Sequence, residues 1–410
     1  MATESYLGAL WRRLTGRPPQ AAPAGPVFGG AAAQPPTILS PAPPPEPPRP
    51  PVPLAPTWTD EALEASIDAA PQDLSRWMVW SDALQEHGDV RGELIARHRE
   101  DHFGFRIETL PRVFGSLSPL IHNGELELTW RHGLPQAARI KARADLPGVT
   151  AELLRLPVSR FLDQLSWGIG EYSGATEFYA DVLETLREWG RGERLRSLFF
   201  GDFERDDLEI SWAQLADFTG LPSIAPRLEH LHLRGASERP LWQAADFPAL
   251  TSFVLETGGL TRDMFQSVLT ARMPRLQRLD LWTGDPDYGA NVGLDELAPV
   301  LDGTRFEHLI HLGLCNSIHT PGVLDRLARS PLMRRLRVLD VSSGVLQSQD
   351  VDALLAHREV FLPLERFDLS RNLLDDASVA RLAAALPNAK LSAQRHDWFE
   401  DDGRYVAVGE

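Results

Sequence analysis

From residue 162 onward, apolar residues return in one figure: two positions three apart, then a third two residues further on. It is read at Leu162, Leu165, Trp167; Leu195, Leu198, Phe200; Leu228, Leu231, Leu233; and Leu250, Phe253, Leu255. It continues at Leu276, Leu279, Leu281; Leu309, Leu312, Leu314; Leu336, Leu339, Val341; and Leu364, Phe367, Leu369. First positions of these eight copies stand 33, 33, 22, 26, 33, 27 and 28 residues apart. Within each copy the last two apolar positions flank a single intervening residue, the period of a strand with one buried face. Between copies, residues 294–301, 323–328, 351–357 and 379–386 carry the helical period instead. A strand and then a helix, repeated at this interval, predict a parallel sheet covered by helices, because one unit cannot bury its own leucines.

This LxxLxL period is that of leucine-rich repeats, with the longer steps leaving room for extra loops. The expected fold class is therefore α/β: a leucine-rich-repeat solenoid over residues 162–391, with a curved parallel sheet and helices on its convex face. Asn372 follows the last copy, where its amide can satisfy buried backbone groups in the turn. Alternating apolar residues in 398–408 around Asp401-Asp402-Gly403 predict a capping hairpin within 392–410. Residues 106–161 carry weaker signals at Leu126, Leu128 and Trp130 and read as an irregular cap or first repeat. The strings Ser197-Leu198-Phe199-Phe200-Gly201-Asp202-Phe203, Glu209-Ile210-Ser211-Trp212, Glu256-Thr257-Gly258-Gly259 and Arg404-Tyr405-Val406-Ala407-Val408-Gly409-Glu410 resemble a bacterial leucine-rich-repeat family with a similar closing motif. That resemblance spans about residues 150–410 and implies a fold but no activity.

Ahead of the repeats, residues 58–105 read as a small helical module. Thr59 or Asp60, Asp73 and Asp89 stand where helix N-caps belong, and Gly88 is a stop signal. Pro71-Gln72-Asp73, Trp80-Ser81-Asp82-Ala83-Leu84 and Gly88-Asp89-Val90-Arg91-Gly92-Glu93 resemble a bacterial repeat-companion domain, with Trp80-Ser81-Asp82 departing from that family's usual Tyr-Ala-Asp. Caps and ion pairs account for the acidic residues here, since no metal-ligand spacing is met. Further upstream, 16 of the 33 prolines fall between Pro18 and Pro56, which predicts a disordered, extended arm over residues 18–57. Leu7, Leu10, Trp11 and Leu14 form one apolar stripe beside Arg12 and Arg13, the pattern of a short amphipathic helix over residues 1–17.

The chain of 410 residues has 41 basic and 57 acidic side chains, a net charge of −16, and the first 57 residues are slightly basic. An acidic body repels phosphate backbones, so nucleic acid is not an expected partner. No run approaches the roughly 18 apolar residues of a membrane span. With Cys315 as the only cysteine, no internal disulfide and no multi-cysteine zinc site can form, and the usage fits a cytoplasmic protein. The chain lacks HExxH, GxSxG and GxxxxGK[ST].

Strand alternation points the residues between the leucines toward the concave side. The expected partner-binding strip is Phe199, His230, His232, Arg234, Glu256, Arg278, Asp280, Trp282, His311, Asp340, Arg366 and Asp368, with Cys315 as an accessible or half-buried thiol. Trp, Phe, His, Arg and Asp mixed on one broad surface are the types that anchor protein interfaces. The leading expectation is a non-enzymatic module binding a protein partner, with no cofactor. Two alternatives stay open: an enzyme built on His230, His232, Glu256 or the loop after Trp282, and a peripheral membrane adaptor held through residues 1–17. A zinc site is disfavoured because His311 and Cys315 lie three strands from His230, about 14 Å away. His311 and Cys315 are also about 13 Å apart along their strand, too far for a nucleophile and its base.

Overall fold

Burying eight leucine triplets requires the strands to lie side by side, and they do. The computed structural model describes residues 58–97, 110–143, 145–170, 179–204, 206–395 and 405–408; the expected N-terminal helix and Pro-rich arm fall outside them. One eleven-stranded sheet runs in strict chain order. Its strands are β1 (Leu126–Arg131), β2 (Leu134–Ile140), β3 (Gln164–Trp167), β4 (Ser197–Phe200), β5 (His230–Arg234) and β6 (Ser252–Glu256). They continue as β7 (Arg278–Gly284), β8 (His311–Ser317), β9 (Val338–Asp340), β10 (Arg366–Asp368) and β11 (Ala389–Lys390). Only β1 and β2 are antiparallel. Every later pair is parallel, so each return needs a crossover.

Register makes the sequence figure physical. Leu165, Leu198, Leu231, Phe253, Leu279, Leu312, Leu339 and Phe367 are neighbours across β3 to β10, forming one unbroken apolar row. All eight are buried, and they join one hydrophobic core with the helices. Each such side chain contributes roughly 1.5–3 kcal/mol. Covering that face are α5 (Leu146–Arg155), α6 (Ala180–Trp189), α8 (Arg262–Thr270), α9 (Leu294–Leu301), α10 (Thr320–Leu327), α11 (Val351–Ala356), α12 (Arg358–Phe361) and α13 (Asp376–Ala385), with the one-turn α7 (Leu221–Ile224). Between β5 and β6 no helix forms; Trp242 fills the space, its indole Nε1 donating to Ser267 O at 2.8 Å.

Before the sheet stand α1 (Glu61–Ala69), α2 (Leu74–Glu86) and α3 (Val90–Ala96), capped by Asp60, Asp73 and Asp89, with the short α4 (Ser118–Asn123) leading into β1. Asp89 is buried against Arg91, whose Nε and Nη2 reach it at 2.9 and 2.6 Å, so this acidic residue is structural. The segment read as an irregular cap contains the β1–β2 hairpin, and β2, α5 and β3 form a strand–helix–strand unit of their own.

At the other end the turn after β10 is organised as anticipated. Asn372 is fully buried; its Nδ2 donates to Val341 O and Leu369 O at 3.1 Å each, and its Oδ1 accepts from Leu346 N at 2.9 Å. The expected closing hairpin is described only in part. Most of it lies outside the described residues, and the described part, 405–408, forms no strand. It binds back onto earlier turns instead: Val408 N donates to Asn316 Oδ1 at 2.8 Å, and Ala407 N donates to Ser343 O at 3.1 Å. Among the described residues no helix is long and apolar enough to cross a membrane.

Candidate functional site

Opposite the helices, the residues between the leucines form a second set of rows. The middle row passes in register through Glu127, Arg139, Ser166, Phe199, His232, Val254, Asp280, Gly313, Asp340, Asp368 and Lys390. Nearer the strand starts, a second row contains Gln164, Ser197, His230, Ser252, Arg278, His311, Val338 and Arg366. The predicted strip residues therefore do share one face. They are not, however, an exposed strip.

Phe199 is 0% exposed, and His232, Glu256, Asp280 and Asp368 are all buried. Small neighbours on adjacent strands make room for it: Phe199 stands in register with Ser166, and Asp280 lies against Gly313. Cys315 is likewise buried, with its Sγ 3.7 Å from Asp340 O. Burial, then the nearby Asp340 charge, pushes that thiol well above its ordinary value, the opposite of what a nucleophile needs.

Three clusters fix the face. In the first, Arg139 grips Asp202 with Nε and Nη2 at 2.9 and 2.8 Å, a bidentate pair bridging β2 to the turn after β4. In the second, the Phe199 and His232 rings stack at 3.7 Å with 1° between their planes, and His232 Nε2 lies 3.1 Å from Glu256 Oε1. Arg234 Nε donates to the other oxygen of Glu256 at 2.5 Å. Burial alone would raise the Glu256 carboxyl, but the Arg234 and His232 charges and hydrogen bonds hold it at about 2. The third cluster is centred on Asp280, which accepts from Arg278 Nε at 2.7 Å and lies 2.9 Å from His311 Nε2. Against the cost of burial, His311 and then Arg278 keep this carboxyl below its usual value.

Gly313 makes the third cluster sterically feasible, since a Cβ there would sit 2.2 Å from Asp280 Oδ1. Further along, Asp340 and Asp368 stand side by side on β9 and β10. Burial and the Asp368 charge raise Asp340, while Asp368 is neutralised by Lys390 Nζ at 2.9 Å rather than by Arg366, which is exposed. The three aligned aspartates therefore differ: Asp280 is paired with Arg278 and Asp368 with Lys390, while Asp340 accepts from the backbone Ser342 N, at 3.0 Å.

His230, Arg278, Trp282 and His311 remain partly exposed, as do Arg139, Arg234 and Asp340, while Arg366 and Lys390 are exposed. Burial lowers the His230 pKa. Among the described residues no group of three or more His, Cys, Asp or Glu side chains is arranged to hold a metal ion. Arg139, Asp202 and Lys390 were missed as members of the face. Arg139 lies in the weakly patterned segment 106–161, and Asp202 reaches the face from a turn, so neither carried the repeat signal.

No family model matches this chain. No curated protein matches it either. Its fold is similar to that of a crystal structure of a protein from Bacteroides fragilis, 22% identical with a TM-score of 0.58, covering 64% of this chain and 73% of that one. That likeness concerns the fold alone.

Proposed function

We propose that this chain is a leucine-rich-repeat protein that binds a protein partner on the face opposite its helices, the side we read as concave. One observation carries the reading: a single polar face extends over eleven strands, and its charged groups are held in place by neighbours before any partner arrives. Side chains fixed in advance lose little entropy on binding, which favours recognition over a broad surface. Phe199, His232, Arg234, Glu256, Asp280, Asp340 and Asp368 act in this reading as the rigid bed, while His230, Arg278, Trp282, His311 and Arg366 make the contacts.

Arg278 is a poor site for charge reversal because it neutralises buried Asp280. Trp282→Ala combined with Arg366→Glu changes only partly exposed or exposed groups. Affinity capture from the native cell should lose its protein partner with this double variant, while far-ultraviolet circular dichroism and melting stay as in the parent. Equal recovery of the same partner by both proteins would end the assignment to this face.

A further inference from the structure

We infer that a cleft between the α1–α2 helices and the strand-start edge of the sheet receives an acidic peptide segment of the partner, held by Arg131, Arg194, Arg196 and Arg227. The inference rests on the reading of this chain as a protein-binding module and adds the chemistry of what it binds.

The cleft has a volume of about 210 Å³ and is walled by Asp68, Pro71 and Trp77 on the helical side. Its other wall is built from the end of β1, the start of β2 and residues that precede β3, β4 and β5. Arg196 N donates to Asp163 O at 2.7 Å, and Glu229 N donates to Arg196 O at 2.8 Å, so these positions lie in a line along the sheet edge. In a chain of net charge −16, four guanidinium groups against the three carboxylates of Asp68, Asp163 and Glu193 give this concavity a local excess of positive charge.

Within the chain these charges are incompletely compensated. Arg131 reaches Asp163 only at 3.6 Å, and Arg196 reaches Glu229 at 3.4 Å. Arg194 is paired with Asp68, but Arg227 is exposed. Burial lowers the Arg131 and Arg194 pKa values despite the carboxylates nearby. The same burial raises Asp163 to about 6, against the pull of Arg131 and Arg196, with Glu229 adding to the rise. Half-buried charges at such separations gain from an incoming group that bridges them.

What that group is follows from both signs present. No hydrogen bond among the described residues reaches the buried Asp163 Oδ1, while Gln136 approaches the other oxygen at 3.4 Å. A peptide supplies backbone N–H groups for the carboxylates of the cleft as well as carboxylates for the arginines. A simple anion supplies only the second. Glu193 and Asp68 on the rim select against a fully charged polyanion and favour spaced acidic side chains.

A fluorescently labelled glutamate-rich peptide, with its glutamine-substituted counterpart as control, tests this by anisotropy at low salt and near-neutral pH. The glutamate peptide should bind and the glutamine peptide should not. Arg227→Glu, which alters an exposed side chain, should weaken binding, and Arg196→Glu with Arg227→Glu should weaken it roughly tenfold or more. Asp163→Asn should tighten binding at neutral pH and flatten the tightening that the parent shows as pH falls toward 6. Equal binding of both peptides, or unchanged affinity in the double arginine variant with an unchanged melting temperature, overturns the inference. So does binding of inorganic phosphate, read by calorimetry, where the peptide fails to bind, which would mark a small-anion site. Because the probe is a synthetic peptide, the result is independent of whether Trp282 and Arg366 are needed for the native partner.

Discussion

Gly313 and Asp280 show how one position can decide a neighbour's chemistry. Asp280 can accept from Arg278 and lie 2.9 Å from His311 Nε2 only because β8 carries no side chain at the facing position. Gly313→Ala is therefore expected to destabilise the fold by about 1–3 kcal/mol in urea unfolding. Paired with Asp280→Ala the two losses should be less than additive, and full additivity would refute the coupling. Two buried carboxylates also give opposite pH signatures. Glu256 is held at about 2 in the folded chain against an ordinary 4.5. Its contribution is present above the ordinary value and is lost as pH falls through the window down to about 2. Asp163 is raised from 3.8 to about 6, so its ionised form costs stability above that value and the cost disappears on acidification toward 4. Glu256→Gln should remove the acid-side loss from a stability-versus-pH curve, whereas Asp163→Asn should raise stability near neutral pH. Curves parallel to the parent's would contradict both assignments.

At the level of elements, each strand is short and its hold comes from the leucine row beneath and the turn at its end. Asn372 serves three backbone groups that no water reaches. Asn372→Ala should cost roughly 2–4 kcal/mol, since it would leave the buried Val341 carbonyl and Leu346 amide unpaired. A melting temperature unchanged by that substitution would show the turn to be held otherwise. Asn316 is buried near the end of β8, and its side chain engages the backbone of Val408. Tail and turn are therefore one element across a long stretch of sequence. Deleting residues 396–410 should raise hydrogen exchange around 316–345 and leave β2 to β5 as protected as before, because repeats interact with nearest neighbours. Uniform loss of protection would show the tail to act on the whole sheet.

Over the whole molecule, polar face and apolar face are two readings of the same period. The eight LxxLxL copies fix which side chains turn toward the helices, and that assignment holds row by row through β3 to β10. Helix caps at Asp60, Asp73 and Asp89 were equally legible, because capping is local and depends on a residue and its next two or three neighbours. Exposure on the other face was not legible. Alternation says that Phe199, His232, Glu256 and Asp280 share a side, but burial depends on what stands one strand away, some 22 to 33 residues along the chain. A serine or glycine there lets a long side chain lie down, and a charge there holds it. The arginine cleft is hidden for the same reason, since its walls come from α1, α2 and the starts of four strands. Sequence by itself determined the period, and with it which residues form the core, because backbone geometry converts spacing directly into facing. Tertiary structure decided which charges meet, which are buried and where the tail lands, because those are set by distances between segments that the chain order does not encode.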